Sequence, residues 1–265
     1  MARNKHTVKI CLIILAAAVV LTSLFIYGRK AGIIPGSGAK GDTVLINLKG
    51  TKAKVEGKGA YVSQTDVVIK EAGSYLVRGS LDNGRLIVDT DSDAGVYVTL
   101  ENVSMHCEDD ACIRVEEADE VFLTLVSGSV NTLTGGSAYS DNAIEDGAEA
   151  VVFSHDDLTI NGSGSLEIRG DYKHGIKAND DLTLSGTEVS VTAADDAIHV
   201  NDDVAIVDTK LRISAGDDGI TTEGTMNTEG SDIVISECRE GLEAFNINIY
   251  SGDIEIYPED DGLNA

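Results

Sequence analysis

The chain has 265 residues, enough for one large domain or two ordinary ones, and its 45 acidic and 20 basic residues give a formal net charge of −25. This charge excludes a nucleic-acid-binding role and suits cations, basic surfaces, or acidic polymers joined through a cation. With 42% hydrophobic residues, the composition also excludes global disorder.

The first predicted element is an apolar segment, Ile10–Tyr27, which is uncharged and 18 residues long. That length is just enough to cross a bilayer, so we predict a transmembrane signal-anchor preceded by a basic cytoplasmic tail, 1–9. A cleaved signal peptide is the alternative. Both interpretations place the remainder outside the cytoplasm, either anchored in the cell membrane or secreted.

Residues 28–43 form a predicted flexible linker. From 44 to 265, short runs rich in β-branched residues, such as "VYVTL" and "VFLTLV", alternate with Gly, Asp, Asn and Ser turns. This pattern predicts an all-β domain. Three cysteines lie in it (Cys107, Cys112 and Cys238), too few for a disulfide scaffold, and we expect core thiols, with a Cys107–Cys112 bridge as the alternative.

A pair consisting of a small residue and an aliphatic residue recurs in this domain at steps of 22, 22, 22 and 21 residues. The pairs are Gly175-Ile176, Ala197-Ile198, Gly219-Ile220, Gly241-Leu242 and Gly262-Leu263. A period near 22 with three short strands predicts a parallel β-helix, a solenoid in which each coil adds one strand to each of three sheets. A β-sandwich would not keep such a constant register. We expect Ala143-Ile144 to begin a looser copy, with "NTLTGGSAYSDN" as a loop insertion.

Stacking of these coils would bring acidic turns into columns. One column contains Asp195, Asp196, Asp217, Asp218 and Glu240, and another contains Asp202 and Asp203. Like charges about 4.8 Å apart repel by about 3.5 kcal/mol at an effective dielectric near 20. Calcium would remove this repulsion, because it binds several carboxylate oxygens at once.

We therefore predict Ca²⁺ as the cofactor. The predicted ligands are Asp195, Asp196, Asp217, Asp218, Asp202, Asp203, Glu240 and Glu243. Magnesium is less suited, since it keeps its water and demands octahedral geometry. The alternative is that these aspartates are ordinary turn formers, whose oxygens accept backbone N–H groups.

The segment "FSHDDLTINGSGSLEIRGDYKHGIKANDDLTLSGTEVSVTAADDAIHV" resembles a secreted carbohydrate-binding domain-containing family of clostridia and related bacteria. The resemblance extends from about Gly50 to Ala265. It implies a right-handed, polysaccharide-lyase-like parallel β-helix that binds calcium at its turns and binds plant cell-wall polysaccharides, including pectin and cellulose. Unlike the family pattern, this chain stops at "DDGLNA", inside a repeat. The exposed strand edges predict either truncation or end-to-end self-association.

Three functions remain open: a calcium-dependent polysaccharide-binding domain, a polysaccharide lyase, and a structural stalk or adhesin. A lyase would need a base, for which Lys177 is the candidate, with Lys173, His174 and His199 nearby in the repeat. The sequence lacks the Lys/Arg cluster that an anionic substrate requires, which favours the non-catalytic binder. Since there is no Trp, a polygalacturonate-like polymer bridged by calcium is favoured over cellulose.

Overall fold

The structure is a computed structural model that describes residues 8–11 and 42–265. Most of the predicted anchor and linker, 12–41, therefore lies outside the described residues, as does the tail up to residue 7. Ile10 and Cys11, at the start of the predicted anchor, lie in a strand. In the part of the chain that is described, no helix has the length and apolar character needed to cross a membrane.

The described residues form strands and one short helix, α1. The strands of the first half are β1 Val8–Cys11, β2 Val44–Gly50, β3 Ala53–Glu56, β4 Ala60–Ser63, β5 Asp66–Ile69, β6 Gly73–Leu81, β7 Leu86–Asp89, β8 Val96–Cys107, β9 Ile113–Glu117, β10 Glu120–Leu125 and β11 Val130–Gly135. There follow α1 Asp141–Glu145, β12 Ala150–Ser154, β13 Asp157–Gly162, β14 Ser165–Gly170, β15 His174–Ala178, β16 Leu182–Ser185 and β17 Glu188–Ala193. The last are β18 Ile198–Val200, β19 Val204–Val207, β20 Lys210–Ala215, β21 Ile220–Glu229, β22 Ser231–Cys238, β23 Leu242–Ile249, β24 Gly252–Pro258 and β25 Leu263–Asn264.

These strands stack as a solenoid of about 9 turns, which confirms the predicted all-β coil architecture. The first sheet contains β5, β7, β9, β12, β15, β18, the start of β21, the start of β23, and β25. The second sheet runs from β2 through the starts of β6 and β8 to β10, β13, β16, β19 and the ends of β21 and β23. The third sheet contains the ends of β6 and β8, then β11, β14, β17, β20, β22 and β24. Neighbours within each sheet are parallel.

Antiparallel pairs occur only towards the margins of this stack, among the residues described. The hairpins β2–β3 and β4–β5 lie in the first coils, and β1 pairs with β24.

The predicted 22-residue register is present in the strand pairing. Ile176 pairs with Ile198, Ile198 with Ile220, and Ile220 with Leu242, and all four side chains are buried. Each coil therefore adds aliphatic side chains to one continuous interior, and burial of this apolar surface is what drives the chain to wind.

Small residues are required where each coil turns into the first sheet. A methyl group at Gly219 would lie 2.5 Å from the carbonyl oxygen of Gly241 and 2.7 Å from Ile235 Cδ1. At Gly241 it would lie 2.4 Å from the oxygen of Gly262. The predicted need for a small residue at this bend therefore comes from the close approach of the next coil.

The predicted looser copy at Ala143-Ile144 is wrong. Both residues lie in α1, whose first turn is capped by Ser140, where the hydroxyl accepts from the Ala143 N–H at 3.3 Å. The residue that pairs with Ile176 is Val152, in β12. The segment between β11 and β12 is a loop insertion, as expected, but it begins later than predicted and covers the outer face of Phe153.

Candidate metal-binding site

The predicted acidic ligands lie mainly at the turn where the third sheet leads into the first. Six of the eight belong to two groups of three, in each of which one ligand atom per residue lies within 4.8 Å of the others. The lower group is Asp195, Asp196 and Asp217, and the upper group is Asp218, Glu240 and Glu243. Stacking in register is what brings residues one coil apart into contact.

The structure does not bring Asp202 and Asp203 into either group. Both are exposed, in the turn from the first sheet to the second. Asp203 Oδ1 accepts the Thr225 N–H at 2.7 Å, and Asp181 Oδ1 accepts the Asp203 N–H at 3.0 Å. Here the aspartates act as the alternative interpretation expects, since they satisfy the backbone of the next coil.

The buried acids of the two groups form a similar ladder. Asp196 Oδ1 accepts the backbone N–H of Asp218, and Asp218 Oδ1 accepts that of Glu240, both at 3.1 Å. Each carboxylate thus commits one oxygen to the next coil and keeps the second oxygen for another partner. Turn formation and cation binding are therefore compatible at these two residues.

The lower group is electrostatically strained in the absence of a cation. Burial, and then the neighbouring Asp196 carboxylate, raise the pKa of Asp195. Burial, and then Asp218, raise the pKa of Asp217. For Asp196, burial is outweighed by hydrogen bonds from His199 and the Asp218 N–H, so its pKa is lowered. The charged forms of Asp195 and Asp217 are disfavoured, and a bound cation would reverse that.

The upper group already has partners from the protein. Arg239 Nε lies 3.6 Å from Asp218 Oδ1, and Arg239 donates to Glu240 Oε1 at 3.2 Å. Asn264 Nδ2 donates to Glu240 Oε2 at 2.9 Å and to Glu243 at 3.3 Å. In the lower group Asp217 pairs with the half-exposed Arg239 and Asp196 accepts from His199, whereas both glutamates of the upper group are held by Asn264. The lower group is therefore the better candidate for a cation. The sequence gave no indication that Arg239 neutralises part of this column.

Two histidines adjoin the lower group. His199 Nδ1 lies 2.9 Å from Asp196 Oδ2, and His174 Nδ1 lies 3.5 Å from the same oxygen. Burial lowers the pKa of His174 to about 4, more than the attraction of Asp196 raises it. Sequence reasoning noticed both histidines only as neighbours of a catalytic lysine. Their 25-residue separation, one coil plus three residues, was the signal that could have placed them together.

Lys177 lies in the first sheet, in the same column as His199, as predicted. Its Nζ donates to the Gly147 carbonyl at 2.8 Å, and burial lowers its pKa. Lys173 Nζ lies 3.1 Å from Glu149 Oε2. The loop insertion therefore supplies partners for both amines, which reduces the positive charge that either offers to an anionic substrate.

Aromatic side chains are arranged in two stacked pairs. Tyr97 and Phe122 stack with centroids 4.8 Å apart and planes 4° apart, and Tyr139 and Tyr172 stack at 5.2 Å. In each pair, one face of each ring is covered by the other ring. Phe245, 78% exposed, stands outside both pairs. Tyr61, 52% exposed, also lies outside both pairs.

Comparison with known proteins gives three matches. A family profile described as "Carbohydrate-binding domain-containing protein" matches residues 63–265. A protein of the same description from Acetivibrio thermocellus is 30% identical over 187 residues, which is 68% of this chain and 65% of the relative, slightly less than two thirds of its length. The fold is similar to the solved "polysaccharide lyase-like protein from C. thermocellum, Gadolinium derivative", with a TM-score of 0.72, 23% identity, and coverage of 84% of this chain and 100% of that one.

Proposed function

Because this chain belongs to the carbohydrate-binding domain-containing protein family, we propose that it binds acidic, pectin-like plant cell-wall polysaccharide through calcium and without catalysis. The observation that carries the proposal is the lower group, Asp195, Asp196 and Asp217, whose ligand atoms lie within 4.8 Å of one another. The sequence resemblance to secreted cell-wall-binding proteins supports the choice of polymer.

The spacing of these oxygens fits calcium. Ca²⁺ binds oxygen at about 2.3–2.6 Å, so two ligands on opposite sides of one ion lie about 4.6–5.2 Å apart. The ligand atoms of the lower group lie within 4.8 Å of one another, close enough to share one such ion. Burial, and then neighbouring carboxylates, raise the pKa values of Asp195 and Asp217, which supports a cation there because it would stabilise their charged forms. Calcium takes six to eight ligands, so protein carboxylates leave positions for other oxygens.

Calcium also resolves the conflict between an acidic protein and an acidic polymer. A chain of net charge −25 repels polygalacturonate at long range. An ion held by the lower group cancels most of its negative charge and offers open coordination positions to a uronate carboxylate. Polymer binding should therefore require loaded calcium.

The test is affinity electrophoresis in gels that contain polygalacturonate, fully methyl-esterified pectin or soluble cellulose derivative, with calcium or with chelator. We expect retardation only by polygalacturonate and only with calcium. An Asp195→Asn/Asp217→Asn variant should lose the effect, while the matched control Asp202→Asn/Asp203→Asn, with the same charge change in the exposed turn, should keep it. Equal retardation of both variants would exclude the lower group as the binding site.

A polysaccharide lyase is the second candidate function. The observation that favours it is the environment of Lys177. Burial lowers the pKa of this amine, so a larger fraction of it is neutral and able to accept a proton as a base. Prolonged incubation with polygalacturonate and calcium, followed by ultraviolet detection of unsaturated uronide products, tests it. Product formed by the native chain and by a Lys210→Ala control, but not by Lys177→Ala, would establish the lyase and overturn the non-catalytic proposal.

We also propose that the solenoid winds right-handed and is displayed at the bacterial surface by the apolar segment Ile10–Tyr27. The support is the length of that segment and the family resemblance. Protease treatment of intact cells tests the location, because a displayed domain is digested and a cytoplasmic one is protected.

A further inference from the structure

A second kind of donor set lies beside the lower group. Asp196 Oδ2 lies 2.9 Å from His199 Nδ1 and 3.5 Å from His174 Nδ1. The ligand atoms of these three residues all lie within 4.8 Å of one another. Two imidazoles and one carboxylate therefore converge on one small volume, at the start of β15 and in β18.

An unsatisfied atom points into this volume. His174 is buried, at 7% exposure, and its Nδ1 has no hydrogen-bond partner among the described residues. Buried imidazole nitrogens are almost always paired, so an orphaned nitrogen calls for a ligand that the protein itself does not supply. The nitrogen faces Asp196, which places such a ligand between the two side chains.

The surroundings fix two of the three donors. The Asp218 N–H holds Asp196 Oδ1 at 3.1 Å, which leaves Oδ2 directed at the histidines. Burial holds the ring of His174. The ring of His199 stacks on it, with centroids 4.8 Å apart and planes 26° apart, and its side chain is 30% exposed. A metal ion binds an imidazole nitrogen in the plane of the ring, and two stacked rings do not point their nitrogens at one ion. The His199 side chain must therefore rotate to bind, and its partial exposure leaves room for that rotation.

The positive charges nearby are engaged elsewhere. Lys173 pairs with Glu149 at 3.1 Å, and Lys177 donates to the Gly147 oxygen at 2.8 Å. The neighbouring carboxylate of Asp195 adds negative charge on the same side. A cation between the histidines is therefore not displaced by a protein ammonium group.

The other described histidine-containing group shows the opposite arrangement. In Glu116, Asp146 and His155, Arg114 donates to Glu116 Oε1 at 2.6 Å and to Asp146. His155 Nε2 lies 3.1 Å from Asp146 Oδ2 and its Nδ1 lies 2.9 Å from Asn179 Nδ2, so both ring nitrogens have partners. Only His174, Asp196 and His199, among the described groups that include histidine, combine convergence with an orphaned nitrogen.

We propose that His174, Asp196 and His199 bind a divalent transition ion of the zinc type. Mixed imidazole and carboxylate donors suit zinc, cobalt or nickel, whereas calcium takes oxygen ligands. Three protein ligands leave a fourth position open toward solvent beside His199, where water or an anionic group completes the shell. The site shares Asp196 with the lower group but adds two histidines that calcium does not use, and it does not require the proposed polysaccharide.

The experiment is a titration of chelator-treated full-length protein with Co²⁺, a zinc substitute with a visible absorption band. We expect a band that saturates at one equivalent, disappears on addition of Zn²⁺, and persists in millimolar Ca²⁺. His174→Gln and His199→Gln should each weaken Co²⁺ binding by more than about tenfold, since loss of even an outer partner has that effect. His106→Gln, a histidine elsewhere on the solenoid, is the matched control.

His199 is partly exposed, so the His199→Gln variant tests the site even if His174→Gln unfolds. Asp217→Asn separates this site from the oxygen-only group, because it should leave the cobalt band unchanged while calcium binding weakens. No saturable cobalt band in the native protein, or equal bands in the native protein and His199→Gln, would overturn the proposal.

Discussion

The carboxylate of Asp196 accepts the backbone N–H of Asp218, 3.1 Å away and one coil later. Asp218 repeats the contact with Glu240, so consecutive turns are joined by side chains as well as by strand hydrogen bonds. The second oxygen of Asp196 lies 2.9 Å from His199 Nδ1, and the second oxygen of Asp218 accepts from the Thr221 hydroxyl at 3.5 Å. Stability and cation binding are therefore coupled at this corner of the solenoid.

Asp196→Ala should destabilise the fold. Its removal leaves the Asp218 N–H without an acceptor at a buried turn, which costs about 1–3 kcal/mol. Urea unfolding followed by circular dichroism measures the change. Asp202→Ala, at an exposed turn, should cost less than half as much. Equal losses in the two variants would mean that the hydrogen bond across the coils contributes nothing specific.

Calcium should stabilise the protein through the lower group. A ligand at 100 times its dissociation constant adds about 2.7 kcal/mol to the free energy of unfolding. Asp195→Asn/Asp217→Asn should gain little from calcium, because two of the three carboxylates that would hold the ion are gone. A thermal-shift series measures the unfolding temperature of the native protein and of the variant, each in calcium and in chelator. A calcium-induced shift as large as that of the native protein would contradict the assignment.

Gly219→Ala should destabilise the solenoid by about 1–3 kcal/mol through overpacking. The added methyl group would lie 2.5 Å from the Gly241 oxygen and 2.7 Å from Ile235 Cδ1. Ser190→Ala, on the exposed face of β17, is the control and should change the free energy of unfolding by less than about 0.5 kcal/mol. If Gly219→Ala left the free energy of unfolding unchanged, the next coil would have to be able to move away from the added methyl group.

Cys107, Cys112 and Cys238 should be unreactive in the native state, since all three are buried and unbridged. Burial raises the pKa of Cys107 to about 11 and of Cys238 to about 12. Because the folded pKa lies above the unfolded value of about 8.5, the associated stability is present at lower pH and is lost as pH rises toward 12. In a Cys11→Ser background, a thiol reagent at pH 8 should label the protein only after unfolding, whereas labelling at the same rate without denaturant would refute this.

The core of the solenoid was predictable because one physical constraint repeats. Ile198 and Ile220 must point inward one coil apart, so the hydrophobic spacing alone fixes the strand register and with it the acidic columns. The path of the insertion was not predictable in this way. Ser140 caps a short helix around Ala143, where the sequence pattern predicts another coil. The cap is a local feature that does not recur with the 22-residue repeat.

The site was predictable only as far as its columns. Asp195, Asp196 and Asp217 follow from register, whereas the pairing of Arg239 with Asp217 depends on which way a long side chain turns. The convergence of His174 and His199 on Asp196 is diagonal between coils and depends on ring orientation. The 22-residue spacing places only residues of one column, so the histidines, 25 residues apart, could be brought together only by comparing neighbouring columns.

The most direct test of the central claim is calorimetric titration of the full-length protein with oligogalacturonate, first in millimolar calcium and then in excess chelator. We expect saturable binding in calcium and none in chelator, with loss of the calcium-dependent heat in Asp195→Asn/Asp217→Asn but not in Asp202→Asn/Asp203→Asn. Identical binding with and without calcium would contradict it.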